Sequence, residues 1–204
     1  MQAKMIAGHE LTPGKTVKDH IHVEGTELHV PHVLLCGEQP GPTVLITAGI
    51  HNAEYVGIQA AIELSNELDV STLRGNVVLV PLVNRSGFEN RTMSRVFEDG
   101  KNLNRVFPGD RKAERLAHML FEVFIRNADA YIDLHCGDGY ETLVPYCYYL
   151  GDAPAEETAK RMVECVNVTY VVRSHCRTGG AYNLASLHGV PSVLIERGQL
   201  SLFS

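Results

Sequence analysis

The segment VLITAGIHNAEYVGIQAAIEL places His51 and Glu54 three positions apart, just after an apolar run. Residues at i and i+3 share one face of a turn or helix start, so an imidazole nitrogen and a carboxylate oxygen can reach the same ion. With 10 histidines in the chain, about one such spacing is what chance supplies, so the pair requires a third donor. His135, which closes the apolar stretch AYIDLH, offers one. Two imidazoles and a carboxylate suit zinc and leave a fourth position open for water, as in catalytic rather than closed structural sites. Taken alone, His135 would read as a strand-end histidine bonded to backbone. Beside His51 and Glu54 it reads as a ligand.

Zinc chemistry on an amide also calls for a base that takes a proton from water and passes it to the leaving amine. Glu196, in VLIERGQ, follows an aliphatic stretch and is the candidate; pairing with Arg197 is the plain alternative. The polar segment NRTMSRVFEDGKNLNRVFPG carries Arg91, Arg95, Lys101 and Arg105. Arg105, next to Asn104, could grip a substrate carboxylate with its planar fork. A further arginine could polarise the scissile carbonyl. Lys101 reads as solvated. Cys136 adjoins His135 and raises the idea of a thiol nucleophile, but neighbouring strand residues point to opposite faces.

The elements that must position these groups alternate along the chain. KDHIHVEGTELHVPHVLLCGEQPGP reads as a hairpin turning at Gly25. Its period of two is taken to put His20, His22, His29 and His32 on a solvated face rather than in a metal cluster. Buried strands follow at 43–48 and 76–83, with Pro81 near the end of the second, and a helix at 55–68 lies between them. Residues 84–109 read as a long functional loop, and Asp110 as the cap of a helix over 111–126. Strands at 130–135, 142–150, 169–173 and 191–196 then frame helices at 154–167 and 180–189. The expected class is α/β, a mixed, mostly parallel sheet with helices on both faces. Ligands of open α/β sheets bind outside the carboxyl ends of the strands, where His51, His135 and Glu196 all fall.

At 204 residues the chain reads as one main domain at 41–204, with an N-terminal β-hairpin region at 1–40 packing on it. The net charge of −6 argues against nucleic acid, which demands basic surface. No apolar stretch reaches a membrane span or a signal-peptide core. The 5 cysteines form no Cys-x-x-Cys pair and read as buried free thiols of a reducing cytoplasm. A homo-oligomer is left open.

GIHNAE, DGKNLNRVFPG, YIDLHCGDG and VLIERG, in this order from about Gly41 to Gly198, resemble the zinc carboxypeptidase superfamily, in particular its succinylglutamate desuccinylase/aspartoacylase branch. The resemblance implies one zinc ion per chain on His51, Glu54 and His135, with Glu196 as general base and acid. It also implies Asn104 and Arg105 as binders of a substrate carboxylate. The family's extra arginine falls on Arg95 or Arg91, with Arg95 preferred for proximity. The implied reaction is cleavage of an acyl–amino-acid amide; a carboxypeptidase or a non-catalytic zinc- or ligand-binding homologue is the alternative. Asn52 stands where many relatives have glycine, and asparagine tolerates unusual backbone angles. Relatives continue into a C-terminal segment that helps close the pocket. This sequence ends eight residues after Glu196, so a catalytic domain without that segment is expected.

Overall fold

A computed structural model describes residues 4–202 of the chain. Strands β1 (Met5–Ile6) and β2 (His9–Glu10) form a small hairpin. The other strands build one sheet: β3 (Thr16–His22), β4 (His29–Cys36), β5 (Gln39–Ala48), β6 (Arg74–Val80), β7 (Ala130–His135), β8 (Tyr146–Leu150), β9 (Tyr170–Ser174) and β10 (Ser192–Glu196). Their order is β3-β4-β6-β5-β7-β10-β8-β9. Pairings β5–β6, β5–β7, β7–β10 and β8–β9 are parallel, while β3–β4, β4–β6 and β8–β10 are antiparallel. The hairpin of the 1–40 region therefore continues the main sheet through β4–β6.

Side-chain alternation divides each central strand between two helical layers. Ile46 and Ala48 of β5 pack with Leu79 against Ile58 and Ala61 of α1 (Tyr55–Glu67). On the same side, α4 (Glu156–Glu164) covers β8 and β10 through Ala159 and Val163. Leu45, Tyr131 and Leu194 face the other way. They pack in one cluster with residues of α3 (Arg115–Met119) and α5 (Ala181–Leu187). No described helix is long and apolar enough to cross a membrane.

Two expectations about local structure are corrected. The segment 84–109 is not all loop: α2 (Arg85–Asn90) forms within it, and Leu103–Arg105 makes a 3-10 turn. Asn84 caps α2 by accepting from Gly87 N–H at 3.1 Å. A side chain on Gly87 would meet Asn52 Oδ1 and the Arg95 carbonyl at 2.7 Å, so the glycine that reads as a loop signal is there for close packing. Asp110 does not cap the following helix, because its carboxylate accepts from Lys112 and Ala113 N–H in a separate turn. Helix α3 starts at Arg115 and runs into a wide π-type turn over Leu120–Phe124.

The third correction concerns His32. His20, His22 and His29 are exposed, but His32 is buried and stands opposite Asp19 on the aliphatic face, tilted against Phe124 with ring centroids 5.7 Å apart. Positions 29 and 32 differ by an odd number, so the period of two itself separates them. Burial pushes the His32 imidazole below the ordinary histidine value, against the pull of Asp19. The unfolded chain titrates near about 6.5, so stability from this group is full above that pH and is lost as pH falls through the lower folded value. Urea unfolding of His32→Leu is expected to show a shallower loss of stability on acidification below about pH 6.5 than the parent. An unchanged slope would clear His32 of that role.

Candidate metal centre and active site

Strands β5, β7 and β10 lie side by side and parallel, so their carboxyl ends share one edge of the sheet. His51 follows the end of β5, His135 ends β7, and Glu196 ends β10 directly opposite His135 in the register. Glu54 stands at the N-cap of α1, one turn beyond His51. An acidic side chain at a helix start usually accepts the free N–H groups there. Glu54 makes no such bond, because both its oxygens face histidines.

His51 Nδ1 lies 2.7 Å from Glu54 Oε1, and His135 Nδ1 lies 2.8 Å from Glu54 Oε2. One donor atom from each of the three residues falls within 4.8 Å of the others, and no other His, Cys, Asp or Glu group does so among the described residues. Each ring also has an acceptor behind it. Asn102 Oδ1 is 3.2 Å from His51 Nε2; Asp133 Oδ2 lies 3.1 Å from His135 Nε2 in an ion-pair contact that is not aligned as a hydrogen bond. Asp133 is fully buried, and its other oxygen accepts from Thr47 Oγ1 at 2.7 Å. With that proton committed, Thr47 accepts in turn from the Tyr131 hydroxyl at 2.7 Å.

The charges of this cluster call for a cation. Burial opposes ionisation of Glu54, yet the facing His135 and His51 outweigh it and hold the carboxyl at about 2. Burial likewise opposes a charged His135, but Glu54 and Asp133 raise its imidazole well above the ordinary value. Two carboxylates around two imidazoles thus favour positive charge at one point. Two nitrogens and an oxygen, with carboxylate and amide acceptors behind the rings, fit a zinc-type ion and its usual outer shell.

A cleft of about 360 Å³ opens beside the cluster. His51 and His135 line it together with Glu196, Asn104 and Arg105. Burial pushes the Glu196 carboxyl up to about 8; His135 pulls it down, while Glu54, Glu141 and Asp133 oppose another negative charge nearby. Asn104 is buried and its Oδ1 accepts from Ala181 N–H at 2.9 Å. Arg105 is exposed and donates to the Asn104 carbonyl at 2.8 Å. Gly179 braces this pair: a side chain there would lie 2.3 Å from the Arg105 carbonyl, while its own carbonyl accepts from Phe107 N–H at 2.9 Å.

Arg91 and Arg95 are not among the residues that line the cleft. Arg91 is the exposed C-cap of α2, and Arg95 donates to the Gly100 carbonyl at 2.7 Å. Asn52 takes no left-handed backbone; it is buried, and its side chain accepts from Asn84 at 3.1 Å. Cys136 is buried with its thiol pushed up to about 11 by burial, which leaves it a poor nucleophile. All five cysteines are free, but Cys165 and Cys176 are exposed rather than buried. Three residues that contribute to the site, Asn102, Asp133 and Gly179, were not singled out by sequence reasoning. Only Asp133 had a usable signal, its place two residues before His135 on the same strand face.

A family model described as the succinylglutamate desuccinylase/aspartoacylase catalytic domain matches residues 40–204. The N-alpha-acetyl-L-2,4-diaminobutyric acid deacetylase of Halomonas elongata is 33% identical over 138 residues, which span 65% of this chain and 40% of that protein. Among solved structures, the product-bound ectoine utilization protein EutE (DoeB) of Ruegeria pomeroyi superposes with a TM-score of 0.84 at 23% identity, over 96% of this chain and 64% of that one. A succinylglutamate desuccinylase of Silicibacter sp. TM1040 gives a TM-score of 0.85 at 20% identity, over 100% and 66%. The chain thus spans less than half of its curated relative and about two thirds of these structures.

A ligand that binds only the folded chain stabilises it by about 2.7 kcal/mol at a hundred times its Kd. Thermal unfolding at that excess of Zn2+ is expected to shift to higher temperature, and Glu54→Gln to abolish the shift. Equal shifts in both proteins would put the ion elsewhere.

Proposed function

The chain belongs to the succinylglutamate desuccinylase/aspartoacylase family, and from that premise we propose that it is a zinc-dependent hydrolase of the amide bond in a small N-acyl amino acid. The observation that carries this reading is the single cleft bordered by His51, His135, Glu196, Asn104 and Arg105. The Halomonas relative, named as a deacetylase of an N-acetylated amino acid, supports the substrate class.

His51, Glu54 and His135 would hold the zinc. Bound there, the ion supplies Lewis acidity toward a carbonyl oxygen and makes water easier to deprotonate. The remaining steps belong to the chain. Arg105 and Asn104 bind the substrate carboxylate, the guanidinium through its two-pronged donor face and the amide through its NH2 group. That anchor orients the acyl carbonyl toward the strand edge and limits the search for a reactive pose. Glu196 accepts a proton from water on a carboxylate oxygen and returns it to the departing amine nitrogen. A value near neutrality suits a group that must do both. Arg95 or Arg91 is proposed to polarise the carbonyl; Arg95 would first have to release Gly100. The free cysteines fit a reducing compartment, and the cytoplasm is the proposed location.

Glu196→Gln is expected to lower kcat by at least about a hundredfold while binding the metal as the parent does. Full turnover in that variant would remove Glu196 from the mechanism. Cleavage of N-acetyl or N-succinyl amino acids, with blocked peptides untouched, separates a deacylase from a carboxypeptidase. Stoichiometric metal with no hydrolysis of any of these would favour a non-catalytic binding domain.

A further inference from the structure

We propose that Asn102 is a positioning residue: one amide oxygen fixes the tautomer of His51 and ties the metal centre to the carboxylate grip at Asn104 and Arg105. The tie to the grip rests on the hydrolase reading; the tautomer does not.

A backbone N–H can only donate. Asn102 caps the turn Leu103–Arg105, and its side chain takes Asn104 N–H at 2.9 Å. The atom facing that N–H is therefore the amide oxygen and not the NH2 group. The same oxygen is 3.2 Å from His51 Nε2. An oxygen acceptor obliges Nε2 to carry a proton, which in a neutral ring leaves the lone pair on Nδ1. Nδ1 is the atom that faces Glu54 at 2.7 Å. Asn102 thus selects the nitrogen that can coordinate, much as Asp133 stands behind His135, but without adding a charge.

Its second bond has a different consequence. Asn104 is held from the far side by Ala181 N–H, and Arg105 abuts Gly179. The turn 102–105 is therefore clamped between a metal ligand and the loop before α5. Removing the Asn102 oxygen frees the His51 ring to change tautomer and leaves the turn uncapped on the side of the metal. Both the ion and the substrate anchor then lose their fixed separation.

The test uses Asn102→Ala and Asn102→Asp in the full chain. Competition with a chelator is expected to show Zn2+ bound about 10–100-fold more weakly by Asn102→Ala. Asn102→Asp, which keeps an oxygen acceptor for both donors, should restore affinity to within about threefold of the parent. With Zn2+ saturating, hydrolysis of an N-acetyl amino acid by Asn102→Ala should show KM raised about tenfold and kcat changed less than about threefold. Parent-like Zn2+ affinity in a folded Asn102→Ala overturns the tautomer assignment, and an unchanged KM overturns the tie to the grip. If even the parent hydrolyses nothing, the hydrolase reading fails, and the chelator competition still decides the role at His51. Should Asn102→Ala not fold, 15N spectra of the Zn2+-loaded parent decide: His51 must be protonated at Nε2, and coordination through Nε2 overturns the proposal.

Discussion

The Glu54 carboxylate turned simultaneously on two imidazoles is the constraint from which the rest of the site follows. Its oxygens lie 2.7 and 2.8 Å from ring nitrogens, close enough that a proton or a metal ion must stand between each pair of lone pairs. Satisfying that demand costs α1 its side-chain cap and leaves Glu54 buried at the helix start. It also fixes what must stand behind each ring. At His51 the support is an amide; at His135 it is a buried carboxylate, itself steadied by the hydroxyls of Thr47 and Tyr131. A buried charge of this kind is costly unless it is paired and hydrogen-bonded, and Asp133 is both.

The sheet sets where this cluster can be. Three parallel strands end together, and helices above and below cover the aliphatic faces, so polar groups are driven to the strand ends. Opposite that rigid edge stands a segment with little regular structure, residues 102–107. Its order comes from its own capping amide, Asn102, and from two contacts outside it, the Ala181 N–H at the start of α5 and the bare backbone of Gly179. The half of the cleft that would recognise substrate is thus built from borrowed contacts, whereas the half that would perform chemistry is built from strands.

That division explains what a single sequence could and could not convey. The candidate ligands His51, Glu54 and His135, with Glu196 beside them, were legible as a cluster because each sits at a strand end or helix start, and such ends are marked by apolar runs. The mixed sheet with helices on both faces followed from the same runs. Helix α2 escaped notice because it is six residues long, polar and contains Gly87, whose purpose is contact with Asn52 and Arg95. Asn102 and Gly179 were invisible because their partners lie 51 and 74 positions away, at His51 and Arg105. His32 departs from the solvated face because an alternation over 29–32 puts its two histidines on opposite faces. Asn52 acts through its side chain, which accepts from Asn84, and not through an unusual backbone angle.

The pairing of Glu196 with His135 across β10 and β7 has a further consequence. Strand registers move in whole residues, and a shift of one would turn Glu196 toward the layer of α1 and α4. There is no continuous series of geometries between Glu196 facing the cleft and Glu196 turned away from it. The separation of these two groups is therefore set in whole-residue steps by the pleat, so that the geometry proposed for Glu196 exists only when β10 is docked in this register.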